Sequence, residues 1–403
     1  MVAIEVRPSG DRGEFARALG AIWEYFQPAP NDEALDRWLG WLPPERMHAA
    51  FDDGDIVGGA GAFPFDFTVP GATLPCAGIT VVGVYPTHRR RGVLRSMMRA
   101  QLDAAHDRGD PIAALWASEE TIYGRFGYGI ASWDGELSIS KEWSAFARPL
   151  ERRGRVRLVT PEEAASLFPS VWDAFRRTRP GAFARTAAWW TGRVLRTPDE
   201  QKAAPKRLAA LDLDGETQAY AIYRTTANFE EFVSQAKLEV LEAIGATPRA
   251  LAEIWRYLLD IDWIATVNVY LAPPDHPLFL LLANPRRARY RMADGLWVRL
   301  VDVGAALSGR AYDGDGAVVL EVRDAFCPWN EGRWRLADGV AQRTDEPAEL
   351  SLEVDALASA YLGAVSFTQL REALRVEELV EGAVERADAL FAWRPLPWCP
   401  EIF

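Results

Sequence analysis

The segment Val82–Arg95 most constrains the fold of this 403-residue chain, because in it a strand runs directly into a basic, glycine-containing turn. The turn His88–Gly92 opens an amphipathic helix, and the first turn of a helix presents free main-chain N–H groups at the positive end of its dipole. Gly92 lets a ligand approach the backbone closely, and three arginines add positive charge (Arg90, Arg91 and Arg95). The combination predicts a pyrophosphate-binding site. The alternative is a solvated basic loop, which is what a basic run indicates when it stands alone.

The elements around this turn indicate an α/β fold. Apolar spacing and turn residues predict, in order, helices at 11–26 and 33–41, strands at 55–69 and 73–84, a helix at 93–105, a strand at 112–116 and a short helix at 118–126.

A second stretch, Leu241–Leu259, follows the same strand–turn–helix plan as Val82–Met98 but lacks the arginines. It predicts a degenerate second copy that kept the fold and lost the site. Further on, the pattern predicts strands at Leu296–Val303 and Ala317–Val322, followed by a hairpin and helices. Charged, irregular stretches near residues 150 and 290 then give three predicted domains, 1–150, 151–290 and 291–403.

Composition excludes several classes of protein. Lys and Arg number 45 against 57 Asp and Glu, and a net charge of −12 argues against nucleic-acid binding. The acidity favours a cationic substrate, or it serves solubility alone. The three cysteines and four histidines show no disulfide framework, metal spacing or catalytic triad, so we expect no metal. Without a secretion signal or an apolar run of about 20 residues, we expect a cytoplasmic protein that is not associated with membranes.

The basic turn resembles the acyl-CoA loop of the GNAT superfamily of N-acetyltransferases. Arg89 and Gly92 occupy the places of its Arg/Gln and first Gly, while Leu94 replaces the last small residue. Ile122–Gly129 (IYGRFGYG) resembles the short tyrosine-containing helix that follows strand five in these enzymes.

Pro86–Arg95 (PTHRRRGVLR), Ala117–Glu119 (ASE) and Ile122–Gly129 together resemble the Eis (enhanced intracellular survival) family over the whole chain. The resemblance implies an N-terminal GNAT domain, a central degenerate GNAT-like domain and a C-terminal sterol-carrier-protein-like α+β domain. It also implies an acetyl-CoA-dependent N-acetyltransferase that modifies several amines of aminoglycosides and assembles as a homo-hexamer.

The resemblance also implies roles for individual residues. Strand residues would bind the pantetheine arm (Val82, Gly83, Val84). The turn and helix start would hold the pyrophosphate (Arg90, Arg91, Gly92, Val93, Leu94, Arg95), with Ser118 and Glu119 as a further cofactor contact. Tyr123 would protonate the departing thiolate, whereas a packed helix-end tyrosine is the structural alternative.

In this family the C-terminal carboxylate is the base, which here means Phe403. The tail from Trp393 to Phe403 carries two Trp, three Pro and a terminal Phe, residues that disordered tails avoid. We therefore expect a stiff segment threaded into a groove, either as part of the active site or only for stability.

Acceptor binding is assigned by position in the family to Trp23, Tyr25 and Trp38, with Glu401 as a candidate acidic group. Tyr25 and Ile402 stand where the family has carboxylates, which leaves the aminoglycoside spectrum open. Three alternatives remain: a GNAT enzyme acting on protein lysine or small metabolite amines, a hydrophobic-ligand carrier that uses its C-terminal domain, and a CoA-binding regulator without turnover.

Overall fold

The computed structural model describes residues 4–26, 30–197, 204–230, 232–314 and 316–403. The chain forms two compact units. The first comprises residues up to Ser132 together with Leu296–Arg394 and Ile402–Phe403, and the second comprises Trp133–Gly295 and Pro395–Glu401. Among the helices in these ranges, none is long and apolar enough to cross a membrane.

The N-terminal part alternates helices with a strand meander, as the apolar spacing predicts. Its strands are β1 (Glu5–Pro8), β2 (Met47–Asp52), β3 (Asp55–Val69), β4 (Ala72–Val84), β5 (Ile112–Trp116) and β6 (Gly129–Ile130). Its helices are α1 (Arg12–Phe26), α2 (Asp32–Trp41), α3 (Val93–Arg108) and α4 (Glu120–Tyr123). Asn31 caps α2 by accepting a hydrogen bond from the Ala34 N–H, and Gly109 ends α3 with a φ of 75°.

The middle part repeats the mixture of helices and strands. Its strands are β7 (Trp133–Ser140), β8 (Arg155–Leu158), β9 (Arg207–Leu213), β10 (Glu216–Thr226), β11 (Phe229–Glu230), β12 (Val233–Ser234), β13 (Ala236–Gly245), β14 (Ile264–Ala272) and β15 (Arg291–Asp294). Its helices are α5 (Pro161–Arg176), α6 (Ala187–Trp189), α7 (Pro248–Asp260) and α8 (Leu278–Leu281). The Thr247 hydroxyl caps α7, with Pro248 at its first position.

The C-terminal part contains strands β16 (Leu296–Leu300), β17 (Ala317–Arg323), β18 (Gly332–Ala337), β19 (Val340–Arg343), β20 (Leu350–Glu353) and β21 (Val376–Glu378). Its helices are α9 (Val303–Ser308), α10 (Val354–Tyr361), α11 (Phe367–Glu372) and α12 (Ala383–Phe391). The strand predicted at Leu296–Val303 is wrong at its end, since β16 stops at Leu300. Asp302 accepts a hydrogen bond from the Ala305 N–H, so it caps a helix that begins at Val303.

The first sheet has the strand order β1-β2-β3-β4-β5-β16-β6, and β4–β5 is its parallel pair. Helices pack on both faces of β3 at two adjacent glycines. A Cβ at Gly59 would lie 2.2 Å from the Ala18 carbonyl oxygen of α1, and one at Gly58 would lie 3.2 Å from the Met97 sulfur of α3. The glycines therefore bring both helices close to β3, which pairs with β4, the strand that leads into the site.

The second sheet, with the order β15-β7-β14-β13-β10-β9-β8, repeats this plan. An antiparallel meander ends in β13, α7 follows, and β14 returns parallel to β13. Trp255 and Leu258 of α7 are buried against the sheet beside Val240 of β13. The degenerate second copy predicted from Leu241–Leu259 has this structure.

A third sheet, β19-β18-β17-β20-β21, carries the C-terminal helices and completes an α+β domain. The compact units change after Ser132 and Gly295, whereas composition predicts boundaries near 150 and 290. The two descriptions differ because β7 pairs with β14 while β16 pairs with β5, and such pairings leave no mark on local composition.

Candidate active site

A cleft opens in the first sheet where its parallel strands diverge. β4 and β5 pair at three positions (Cys76 with Ile112, Ala77 with Ala113, Gly78 with Ala114), after which β4 continues to Val84 and β5 to Trp116. Main-chain polar groups on the facing edges past Gly78 are available to an extended, amide-containing ligand.

A bulge reshapes β4 inside this cleft. Gly61 of β3 pairs with Thr80, whereas Gly59 pairs with Gly83, so Val81 and Val82 together lie opposite one residue. Val81 has a φ of +48°, a left-handed conformation that costs a β-branched residue roughly 1–3 kcal/mol. Such strained bulges cluster beside active sites, where they re-aim the strand.

The outer end of this region is the N-terminus of α3. Gly92 occupies the N-cap position with a φ of 87°, and a Cβ built on it meets nothing within 4 Å. The helix runs for 16 residues, so its dipole and the free N–H groups of its first turn favour an anion there. The helix begins at Val93 as the sequence predicts, with Gly92 before it and Leu94 and Arg95 in its first turn, and the binding of pyrophosphate by these residues stays a prediction.

The arginines of the turn are not equivalent. Arg91 forms an ion pair with Asp52 (2.8 Å), which His88 also approaches at 3.4 Å. Arg89 lies over the ring of Tyr25 at 4.7 Å. Arg90 is exposed and, within the described residues, has no ion pair. The role of Arg90 in binding pyrophosphate stays a prediction.

Two predicted site residues also have structural partners. A Cβ on Gly83 would lie 2.5 Å from the main-chain nitrogen of Ile22, so this glycine lets α1 pack against β4. The Tyr25 hydroxyl donates a hydrogen bond to the Val84 carbonyl at 2.6 Å. The predicted roles of Gly83 in cofactor binding and of Tyr25 in acceptor binding stay predictions.

Tyr123 ends α4 and is only 7% exposed. It belongs to the hydrophobic cluster that contains Ile79, and Val82 and Leu94 pack against that cluster. Burial, helped by the negative charge of Glu119, raises the pKa of Tyr123 to about 12. The phenol is therefore protonated at neutral pH, as a proton donor must be. Ser118 and Glu119 are exposed, between the end of β5 and the start of α4.

The last residue of the chain packs over the start of the cleft. The ring of Phe65 lies so close to Gly78 that a Cβ there would be 2.3 Å from it. The Phe403 ring meets Phe65 edge-on, with 4.9 Å between ring centroids. Gly78 is the last residue of β4 paired with β5, so Phe403 packs on the side chain that covers the point where these strands separate.

Trp38 joins the same row of aromatic side chains. It stacks on Phe63 at 5.9 Å, and Phe63 contacts Phe65 at 5.4 Å. The structure thus connects the predicted acceptor residue Trp38 with the predicted base Phe403 through two phenylalanines that the sequence reasoning missed. The available signal was the period-2 pattern of β3, in which residues 63, 65 and 67 are buried and residues 64 and 66 exposed.

The two remaining acceptor candidates lie elsewhere. Trp23 is half-buried on α1. Glu401 belongs to the second unit, where its carboxylate accepts hydrogen bonds from Arg185 (3.0 Å) and the Trp189 indole N–H (2.8 Å) and pairs with Arg193 (3.3 Å). Both of its oxygens therefore have protein partners.

Comparison with known proteins agrees with this geometry. Two family models, each described as an acetyltransferase (GNAT) domain, match residues 7–131 and 181–300, and a sterol carrier protein domain model matches residues 303–400. An uncharacterized N-acetyltransferase of Streptomyces avermitilis is 39% identical over 96% of this chain and 95% of its own length. N-acetyltransferase Eis of Mycobacterium tuberculosis is 34% identical over 94% of each chain.

The crystal structure of Eis1 from Mycobacterium abscessus superposes with a TM-score of 0.88 at 32% identity, covering 99% of this chain and 100% of that chain. GNAT acetyltransferases use acetyl-CoA, the thioester expected for a cleft with an anion-binding helix start. The chain is therefore a GNAT-fold N-acetyltransferase of the Eis family.

Proposed function

We propose that this enzyme transfers the acetyl group of acetyl-CoA to amines of aminoglycoside-like polyamines, with Tyr123 as the acid and the terminal carboxylate of Phe403 as the base. One observation carries the proposal: Phe65 lies on Gly78, where the cleft begins, and holds Phe403 beside it. Acid, base and thioester site would then share one cavity.

Cofactor binding would use different groups at each end. The divergent edge of β4, at Val82 and Val84, offers main-chain groups to the pantetheine amides. The first-turn N–H groups of α3 (Val93, Leu94, Arg95) and the Arg90 guanidinium would bind the pyrophosphate.

The reaction is a direct acyl substitution. The amine nitrogen bonds to the thioester carbonyl carbon while its proton passes to the Phe403 carboxylate, and the C–S bond then breaks. An aliphatic ammonium has a pKa of about 10.4, so it first loses one proton to solvent, through the carboxylate or a water molecule beside it. The neutral amine then attacks, and its second proton passes to the carboxylate as the amide forms.

Tyr123 supplies a proton or a strong hydrogen bond to the departing sulfur. A free thiol has a pKa of about 8.5, below that of this tyrosine, so proton transfer to a solvated thiolate would be uphill. Burial also raises the pKa of the CoA thiol in the same cavity, so the gap between the pKa of the thiol and that of Tyr123 becomes smaller.

A polycationic acceptor is supported by charge and by ring chemistry. The net charge of −12 raises the local concentration of cations, and the aromatic row from Trp38 to Phe403 offers ring faces to an ammonium group. A polyamine could present more than one amine to the same carboxylate, which supports acetylation at several positions.

The test is acetyl-CoA-dependent release of CoA, read with a thiol reagent, in the presence of aminoglycosides, polyamines or lysine peptides. We expect release with aminoglycosides, and mass spectrometry should show more than one acetyl group added. CoA release with lysine peptides but not with aminoglycosides would mean that the acceptor is a protein lysine. Uptake of hydrophobic ligands without acetyl transfer would favour a carrier.

The terminal base is tested by a variant with two glycines added after Phe403, which moves the carboxylate but keeps every side chain. We expect it to bind acetyl-CoA normally and to lose most of its turnover. Full turnover in the extended enzyme would rule out the base role.

A further inference from the structure

The second sheet divides in the same manner as the first. β13 and β14 pair from Ala236–Val240 to Ile264–Val269, after which β13 continues to Gly245 and β14 to Ala272. The helix that follows differs from α3, because the Thr247 hydroxyl accepts the hydrogen bond of the Ala250 N–H. The second domain therefore has a cofactor-type strand division but a capped helix start.

The C-terminal segment Pro395–Glu401 lies at the diverged end of β14. The Trp398 indole N–H donates to the Leu271 carbonyl (3.1 Å), and the Trp398 main-chain N–H donates to the Pro180 carbonyl (2.8 Å). Gly181, with a φ of +96°, packs so closely that a Cβ would be 3.1 Å from the Trp398 backbone. Trp398 is only 7% exposed, so these residues form a buried binding site for its indole ring.

Glu401 is attached to the diverged end of β13. Arg185 binds Glu242 of β13 (2.6 Å) and Glu401 (2.9 Å) through the same terminal nitrogen. The guanidinium lies 3.7 Å over the ring of Trp172, and its side chain is 1% exposed. Arg185, Arg193, Glu242 and Glu401 together carry two positive and two negative charges, so these four side chains have no net charge.

We propose that the tail segment Pro395–Glu401 occupies the strand division of the second domain in place of a cofactor, and that Glu401 is a positioning residue for the terminal carboxylate. The second half of this statement rests on the proposed function. Phe403 follows Glu401 by two residues, a reach of at most about 7 Å, so fixing Glu401 limits where the carboxylate can be. The degenerate domain is thus a receptor for the tail segment that precedes Phe403.

The test compares Glu401→Gln with Glu253→Gln. Both remove a partly or fully buried carboxylate charge from the second unit, but Glu253 pairs with Arg249 and with main-chain N–H groups of residues 153 and 154, away from the tail. Trp398→Phe is a milder second variant, because it deletes the indole N–H and keeps an aromatic ring.

Three readouts separate positioning from simple stability. Removal of Phe403 by a carboxypeptidase, followed by mass spectrometry of the intact protein, should be at least about tenfold faster in Glu401→Gln and Trp398→Phe than in Glu253→Gln. In the two tail variants kcat should fall about tenfold or more, while KM for acetyl-CoA stays unchanged. Calorimetry should give one acetyl-CoA bound per chain.

Each outcome decides a separate point. Equal carboxypeptidase rates in all variants, or two acetyl-CoA bound per chain, would overturn the tail's place in the second domain whatever the activity. Faster removal of Phe403 with an unchanged kcat would overturn the positioning role of Glu401, but the tail would still be assigned to the second domain. The carboxypeptidase assay does not measure turnover. It therefore still tests the tail's place in the second domain if the glycine-extended enzyme shows that the terminal carboxylate is not the base.

Discussion

The Phe403 ring lies edge-on against the Phe65 ring, with 4.9 Å between their centroids. Phe65 covers Gly78, and Gly78 is where β4 and β5 part, so the Phe65 ring lies between the end of the chain and the start of the cleft. This contact joins residues 65 and 403, which are far apart in the sequence, at the place where two neighbouring strands separate.

Replacing Phe65 with Leu should therefore affect catalysis more than stability. We expect kcat to fall about tenfold because the edge-to-face contact with Phe403 is lost, with a stability cost of about 1 kcal/mol. Phe67→Leu is the matched control, because Phe67 is buried on the same face of β3, two residues farther along the strand. Steady-state kinetics and urea denaturation measure both effects, and equal losses of kcat in the two variants would contradict the assignment.

Replacing Tyr123 with Phe should lower kcat by about 10²-fold, the typical contribution of a general acid, with little change in acetyl-CoA binding. Tyr128→Phe is the control. Its ring lies 6.0 Å from that of Tyr123, and among the described residues its buried hydroxyl has no hydrogen-bond partner, so its loss should cost no stability. Since the pKa of Tyr123 is about 12, the kcat profile should show no loss from this group up to about pH 10. An unchanged kcat in Tyr123→Phe would remove the acid role.

Gly92→Ala should weaken acetyl-CoA binding, because a Cβ there points into open space at the start of α3 and strains a residue with a φ of 87°. Gly109→Ala places the same change at the other end of α3, where φ is 75° and the space is also open. Both variants should lose about 1–2 kcal/mol of stability. Only Gly92→Ala should raise the Kd for acetyl-CoA in calorimetry; a similar rise in Gly109→Ala would mean that general strain is the cause.

Arg90→Gln should raise the Kd for acetyl-CoA about tenfold and reduce its dependence on salt, because this guanidinium is exposed and not paired with a carboxylate in the described structure. The comparison is the charge-neutral double variant Arg91→Gln with Asp52→Asn, which removes an existing ion pair as a unit. We expect less than a twofold change there, measured by calorimetry at two salt concentrations. A larger rise in Kd in the double variant would mean that Arg91, rather than Arg90, contacts the phosphate.

His48 should make the fold sensitive to acid. Burial, with a smaller effect of Arg108, lowers the pKa of His48 to about 4, whereas the unfolded chain has the ordinary value of about 6.5. The unfolded state therefore binds the proton first as pH falls, and about 3 kcal/mol of stability present above pH 6.5 is lost by pH 4. Urea denaturation at pH 7 and pH 4.5 should show a smaller difference in His48→Gln than in the unsubstituted protein; equal differences would exclude His48 as the source.

Much of the fold follows from local pattern. The helix at Val93–Arg108 and the strands that flank it have apolar spacing, a glycine cap and turn residues that all agree, and the degenerate repeat shares that pattern. The end of β16 was mispredicted because six of the eight residues in Leu296–Val303 (LWVRLVDV) are apolar, and the capping role of Asp302 is what separates strand from helix.

The sequence by itself determined the basic turn that opens a helix, the tyrosine that follows β5, the repeated domain plan and the family. These features depend on residues that are close in the chain, where spacing and residue type specify the geometry. Tertiary structure decided that Asp52 neutralises Arg91, that Phe63 and Phe65 connect Trp38 with Phe403, and that Glu401 binds Arg185. Each of these contacts joins residues from distant parts of the chain, so strand register and packing, rather than local sequence, bring the partners within reach.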